Sequence, residues 1–360
     1  MLKLGEHRQK VYGMERNDVE KLIHEIDYEI IKRLSHRRHD DFRAELDDIF
    51  SLYLELLRKY QIQNVLGEEY TLNEIPVYIR RVKKWCKDIE EMVDGYFEGD
   101  LLKTIKIYKR LFQRTSRNYP LQFPDAKVKQ YSVWYRGRKN EKKEQRNKKE
   151  LFHVSFGKRG KIGSQRFSIL GFPCLYLASS LECCINELNS DTPISICAFT
   201  SLSDIDVFDL SFYPSINNKK MLWSYLYLYP MKIACSIPAP KGSEEIKFIP
   251  EYIVPEYVLH GTIKQARYSS KSLGFIYTST SVFSEGVTKE EVRKSTNLVI
   301  PAINIKDKGY CDKLRDMFSM TDPVTLHYTG KKNDNILEDQ AKILNNMKFG
   351  KLPDTEEYKE

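Results

Sequence analysis

Four short stretches carry the side chains best suited to chemistry. The first is Trp134-Tyr135-Arg136-Gly137-Arg138. Guanidinium forks pair with phosphate oxygens through parallel N–H bonds, and aromatic faces stack on rings, so this strand end suits a pyrophosphate. It also fits a plain solvated basic strand end. The second stretch runs from Phe152-His153 to Ser180. Within it, Arg159-Gly160-Lys161 and Gln165-Arg166-Phe167 fall in a loop ahead of the strand-like run Cys174–Leu177. Gly157, Gly160 and Gly163 permit close backbone approach to a ligand. The spacing matches neither a Walker loop nor a dinucleotide-binding fingerprint.

The third stretch is a short helix, Ser180–Leu188, whose start Ser180 can cap. Leu181, Cys184, Ile185 and Leu188 form its buried stripe, and Glu187 sits at the rim. A carboxylate there can face a growing positive charge or hold hydroxyl groups; a lone glutamate is more readily an ordinary surface residue. The fourth is Ala266-Arg267-Tyr268-Ser269-Ser270, ahead of the strand Phe275–Tyr277. Serines at a strand end can hold a phosphate or a hydroxyl, though serines are common in turns. No Gly-x-Ser-x-Gly elbow accompanies them, which argues against an esterase.

Other charged groups weigh less. The basic run from Arg136 through Glu150 mixes signs and lacks interleaved aromatics, so it reads as a solvated loop rather than a nucleic-acid surface. His24, His36 and His39 lie among charged residues without a metal-ligand spacing. Arg33 and His39 match a loose arginine–histidine spacing of HEPN ribonucleases, a match that arises easily in so charged a helix.

The elements that must hold these residues divide into two textures. Residues 1–115 read as a helical domain. Asn17 with Glu20 suggests a capping box, and Val19, Leu22, Ile23, Ile26, Ile30 and Leu34 recur at helical spacing. Further helices carry Phe42 to Leu57, then a stretch opened by Pro76, then Leu101–Phe112. Residues 116–131 read as a linker broken by Pro120 and Pro124. From 132 to 330, short aromatic and β-branched runs alternate with helices, as in an α+β domain. Residues 331–360 form a C-terminal helix, Asn335–Met347, and a polar tail. The expected fold class is α+β: a helical N-terminal bundle followed by a mixed domain.

Composition sets the outer limits. Apolar residues make up 41% of the 360, enough for a sizeable core and too many for wholesale disorder. The formal charge of +8 suits nucleic acid, an anionic membrane or a phosphate-bearing small molecule alike. Seven cysteines at irregular spacing read as reduced, buried thiols. With no secretory h-region and no run long enough for a membrane span, the expectation is a cytoplasmic protein with no membrane partner.

Taken in order, Tyr135-Arg136-Gly137-Arg138, Gln165-Arg166-Phe167-Ser168, Leu175-Tyr176-Leu177-Ala178-Ser179 and Glu187 resemble the RES domain, named for an arginine, a glutamate and a serine. The Tyr-x-Ser pattern in Tyr268-Ser269-Ser270 places that serine at Ser270. Ile249–Tyr257 resembles the family's preceding segment, with Glu256 where the family usually has glutamine. The resemblance covers roughly residues 132–305. It implies an ADP-ribosyltransferase-like fold and a toxin that degrades NAD by hydrolysis or phosphorolysis, silenced by an antitoxin. On that footing Arg136, Glu187 and Ser270 are the catalytic residues. Arg138, Arg166, Tyr176 and Ser269 bind NAD or phosphate. NAD is the substrate, inorganic phosphate a candidate acceptor, and no metal is needed. Two alternatives stand beside it: a protein mono-ADP-ribosyltransferase, and an RNA- or nucleic-acid-binding module using the basic run and the N-terminal helices, though nucleic acid is not the expected partner. Oligomeric state is left open.

Overall fold

The computed structural model describes residues 16–60, 75–113, 125–140, 145–190, 192–214, 219–240, 248–268, 272–326, 344 and 346–352. In chain order the helices are α1 (Arg16–Leu34), α2 (Phe42–Lys59), α3 (Ile75–Phe97), α4 (Leu101–Gln113), α5 (Lys148–Leu151), α6 (Leu181–Leu188), α7 (Lys219–Ser236), α8 (Ile253–Tyr268), α9 (Lys289–Lys294) and α10 (Asp312–Met317). The strands are β1 (Asp125–Val128), β2 (Val133–Lys139), β3 (Cys174–Ala178), β4 (Ile194–Ser201), β5 (Ile205–Leu210), β6 (Phe275–Thr278), β7 (Thr296–Pro301), β8 (Phe318–Met320) and β9 (Val324–Leu326). The fold class is α+β, as expected. The chain divides into two compact units: Met1–Pro124 with Tyr213–Pro240 and Ser284–Gly286, and Asp125–Phe212 with Lys241–Phe283 and Val287–Glu360.

The first unit is helical. Apolar stripes of α1, α2 and α3 (Ile26, Ile30, Leu46, Ile49, Phe50, Trp85 and Ile89) are buried, because an amphipathic helix gains stability mainly by hiding that stripe. Asp41 caps α2 by accepting from the Ala44 N–H at 2.7 Å. Asn17 is itself helical within α1 rather than ahead of it; helix ends shift by a residue or two. Sequence order places α7 within the second domain, yet it packs in the helical unit. Its residues from Ser224 to Ser236 are buried, and a helix hidden on every side needs a core to enclose it.

Two buried ion clusters specify this unit. Asp27 accepts from the Tyr225 and Tyr229 hydroxyls at 2.6 Å each and from the Tyr213 N–H at 2.7 Å. Lys232 hydrogen-bonds Tyr225 and stands 3.6 Å from Asp27. Arg33 is held by Glu45 at 2.7 and 2.8 Å and by Asp48. Burial opposes both charges of the Arg33–Glu45 pair. The mutual hydrogen bonds outweigh it, raising Arg33 and lowering Glu45. Arg33 is thus committed to packing, which disfavours the ribonuclease spacing.

The second unit is built on one nine-stranded sheet of order β1-β5-β6-β7-β3-β2-β4-β8, with β9 also paired to β4. Among the described residues, only β5 and β6 run parallel. Successive strand residues point to opposite faces, so each face has its own core. Trp134, Leu175, Leu177, Cys197 and Phe199 supply one. Tyr135, Ala178, Ile196 and Ala198, with Leu181, Cys184 and Ile185 of α6, supply the other. The two described ends of the basic run are regular structure: Arg136 and Arg138 lie in β2, and a reciprocal cap between Asn147 and Glu150 starts α5. Residues 141–144 and most of the expected helix Asn335–Met347 lie outside the described residues.

Candidate functional site

β2 and β3 pair at one register position, Tyr135 opposite Ala178. Beyond it β2 continues along β4 to Lys139 opposite Ile194, while β3 continues along β7 to Cys174 opposite Pro301. The sheet forks there. Arg136 is the first residue past the shared pair, and its Nη1 donates across the fork to the Tyr176 carbonyl at 2.8 Å. The buried Nε–H groups of Arg136 and Arg138 have no hydrogen-bond partner among the described residues. Burial, then the Arg138 charge, pulls Arg136 down to about 9. Burial, then the Arg146 charge, lowers Arg138. Two neighbouring desolvated guanidiniums with spare donors favour an anion between them and solvent.

On the other core face, α6 lies close over β2. A Cβ on Gly137 would stand 2.7 Å from Leu188 Cδ1 and 3.2 Å from Cys184 Sγ, so the glycine admits the helix at this height. Ser180 caps α6 by accepting from the Cys183 N–H at 3.0 Å. The helix delivers Glu187 to the surface. Its Oε1 accepts from Ser279 Oγ at 2.5 Å and from Asn297 Nδ2 at 2.7 Å. Both donors are buried. The Ser281 N–H occupies Ser279 Oγ at 3.2 Å. Glu187 Oε2 has no hydrogen-bond partner among the described residues.

Arg166 and two tyrosines complete the group. The Arg166 guanidinium lies 5.3 Å from the Tyr252 ring centroid. Burial raises Tyr277 well above the usual phenol value; the Glu187 charge adds to this and Arg166 opposes it. Burial also raises Tyr252, with Arg166 and Glu187 acting in the same opposed senses. Both hydroxyls therefore stay protonated within the field of one carboxylate and one guanidinium. Phe167 adopts a left-handed backbone with φ 57°, a conformation worth roughly 1–2 kcal/mol of strain. Its ring packs 4.4 Å from Phe275 and 4.5 Å from Tyr277, and its carbonyl accepts from the Tyr176 hydroxyl at 3.0 Å. The strained turn thus fixes both Arg166 and Tyr176.

The structure joins Arg136 to Tyr176 at the fork, and gathers Glu187, Arg166, Tyr252 and Tyr277 on the side of α6. Arg138 belongs to the neighbourhood of Arg146, Glu150 and Tyr310. Ser269 and Ser270 lie outside the described residues. The serine that meets Glu187 among the described residues is Ser279, which the sequence reading passed over. A second Tyr-x-Ser pattern, Tyr277-Thr278-Ser279, was its signal. Asn297, Tyr252 and Tyr277 were also unread as site residues. Gly160 and Gly163 have open space around them, so packing requires neither to be glycine. His153 is structural: Nδ1 meets the Val154 carbonyl at 2.8 Å, Nε2 accepts from the Cys311 N–H at 2.9 Å, and burial lowers it to about 4. Among the described residues no group of acidic, cysteine and histidine side chains could hold a metal, and no helix is long and apolar enough to cross a membrane.

Comparison with known proteins adds one relationship. The chain is similar to the Bacillus subtilis (strain 168) protein named "Putative toxin YopC". The two are 28% identical over 315 residues, covering 79% of this chain and 66% of the relative. The chain therefore spans slightly less than two thirds of that protein's length. No family model and no solved structure matches.

Proposed function

We propose that the sheet unit cleaves the nicotinamide–ribose bond of NAD, with phosphate or water as acceptor, and that the chain acts as a toxin through this loss of NAD. The observation that carries the reading is the Glu187 carboxylate, anchored through one oxygen by Ser279 and Asn297 and sharing its surroundings with Arg166. Breaking this bond builds positive charge at the anomeric carbon. A carboxylate that is already fixed stabilises that charge as it develops, which lowers the barrier rather than tightening ground-state binding. Nicotinamide leaves as a neutral base with the bonding electron pair. The acceptor oxygen forms the new bond to the anomeric carbon and releases its proton. Arg136 and Arg166 are suited to hold the pyrophosphate or an incoming phosphate, and fixed orientation contributes further. The resemblance to RES domains, with their ADP-ribosyltransferase-like fold, and the similarity to a protein named as a toxin both support this reading. A toxin of this kind calls for a silencing partner, an antitoxin.

The test is NAD consumption by the purified chain with and without inorganic phosphate, with products resolved by mass. Phosphate-dependent loss giving phosphorylated ADP-ribose identifies a phosphorylase. Loss giving plain ADP-ribose identifies a glycohydrolase. Glu187→Gln keeps both anchoring hydrogen bonds and removes the charge, and is expected to lower the rate by about 100- to 1,000-fold. Unchanged NAD under both conditions would sink the reading.

A further inference from the structure

Glu187 and Cys183 stand one turn apart on α6, and both reach the same amide. Asn297 Nδ2 donates to Glu187 Oε1 at 2.7 Å, while Asn297 Oδ1 faces Cys183 Sγ at 3.7 Å. The thiol has a second acceptor within reach, the Thr296 carbonyl at 3.8 Å. An amide can rotate end for end and exchange its donor and acceptor. Here a donor thiol at one end and a carboxylate at the other select one orientation. The backbone beneath cannot drift: Asn297 lies in β7, opposite Ala178 of β3 on one side and Tyr277 of β6 on the other. Asn297 and Cys183 are both buried. Burial raises the Cys183 thiol well above its usual value, so it remains a donor.

We infer that Asn297, oriented by Cys183, is a positioning residue that locks Glu187 through Oε1 and leaves Oε2 as the oxygen that faces substrate. The inference rests on the NAD reading for its kinetic part alone; the lock itself is a property of the unliganded protein. It also gives a buried cysteine a task other than packing. Ser279 supplies the second bond to Oε1, so loss of Asn297 leaves the carboxylate held at one point and free to turn about it.

Two measurements on the full chain test this. The first is kinetic. Asn297→Asp keeps the shape but replaces the donor with an acceptor beside the carboxylate. It is expected to lower kcat for NAD cleavage by about 10- to 100-fold, the factor a hydrogen bond to a charged group carries, with KM within about threefold. Cys183→Val is expected to lower kcat less, and Cys183→Ser, which keeps a donor, to restore it. A change confined to KM, or Cys183→Ser as impaired as Cys183→Val, overturns the lock. The second needs no substrate. In protein labelled with nitrogen-15 asparagine, the Asn297 side-chain amide is identified by its loss in Asn297→Ser. It is expected to be displaced and slow to exchange in the wild type, and to move in Glu187→Gln. An ordinary, fast-exchanging amide indifferent to Glu187→Gln overturns the inference whether or not NAD is cleaved. A displaced amide in a protein that leaves NAD intact refutes the NAD reading alone.

Discussion

Arg136 reaches across the fork between two strands to donate to the Tyr176 carbonyl at 2.8 Å, and its buried Nε–H meets no acceptor among the described residues. If Arg136 serves the proposed anion site, its desolvated charge beside Arg138 should cost stability until an anion pairs with it. Arg136→Met is therefore expected to raise the stability of the unliganded protein by about 1 kcal/mol, as relief of a strained functional group commonly does. On the proposed reading pyrophosphate or ADP-ribose raises the melting temperature of the wild type, and the same variant should lose that rise. Thermal melts with and without these anions check both. A variant that is less stable and still responds to the anions would contradict the assignment.

Acid should weaken the sheet unit through His153. Its folded value of about 4 lies below the unfolded value of about 6.5. Above the unfolded value both states are neutral and His153 contributes nothing to the slope. As pH falls from about 6.5 to 4, the unfolded state takes up the proton first, so stability declines over that window by about 3 kcal/mol in total. Urea titrations at several pH values measure the decline. His153→Gln, which retains an acceptor for the Cys311 N–H, is expected to flatten it.

Glu45 and Arg33 form a buried pair whose breaking should cost more than its replacement. Glu45→Ala leaves the Arg33 charge buried with Asp48 as its remaining carboxylate partner, and is expected to destabilise the helical unit by about 3 kcal/mol. Replacing Arg33 and Glu45 together with methionines should recover most of that loss. Because Glu45 is held below its ordinary range, the pair's contribution is present above the unfolded carboxylate value and fades as pH falls through the lower folded one. Chemical denaturation of the single and double variants decides it.

Gly274 admits no side chain. A Cβ there would lie 2.2 Å from the Val299 carbonyl oxygen, a backbone atom of the neighbouring strand that cannot rotate away. Gly274→Ala must push β6 off β7 and is expected to destabilise the sheet unit by at least 1–3 kcal/mol by the usual scale of overpacking, about 2 being central. Since β6 leads to Ser279 and β7 carries Asn297, the surviving folded protein should also lose Glu187-dependent activity. Denaturation midpoints and NAD turnover read the two effects separately.

Helical faces were legible because their burial writes a regular period into Ile26, Ile30, Leu46 and Ile49. The strands at β2, β3, β4, β6 and β7 were legible from their β-branched and aromatic runs. The strands β1, β8 and β9 are three or four residues long, too short for alternation to stand out. Arg136, Tyr176, Arg166 and Glu187 could be picked out because each has a chemistry of its own. Asn297 and Ser279 could not, since a serine and an asparagine become informative only when a carboxylate 92 or 110 residues away meets them. Tertiary pairing, not local pattern, gives them meaning. The same holds for α7, whose apolar composition announces burial without saying in which core.

The helical unit is closed by residues from the middle of the chain, and this orders events in time as the ribosome works. Asp27 emerges early, but its partners Tyr225 and Tyr229 lie 198 and 202 positions later. At ordinary elongation speeds that gap lasts on the order of 10–40 s. During it the nascent α1 carries a carboxylate destined for a dry interior and no hydroxyl to meet it. The N-terminal helices are therefore unable to complete their core while the first strands of the sheet are being made, and a late stretch of the chain times when the early one can finish folding.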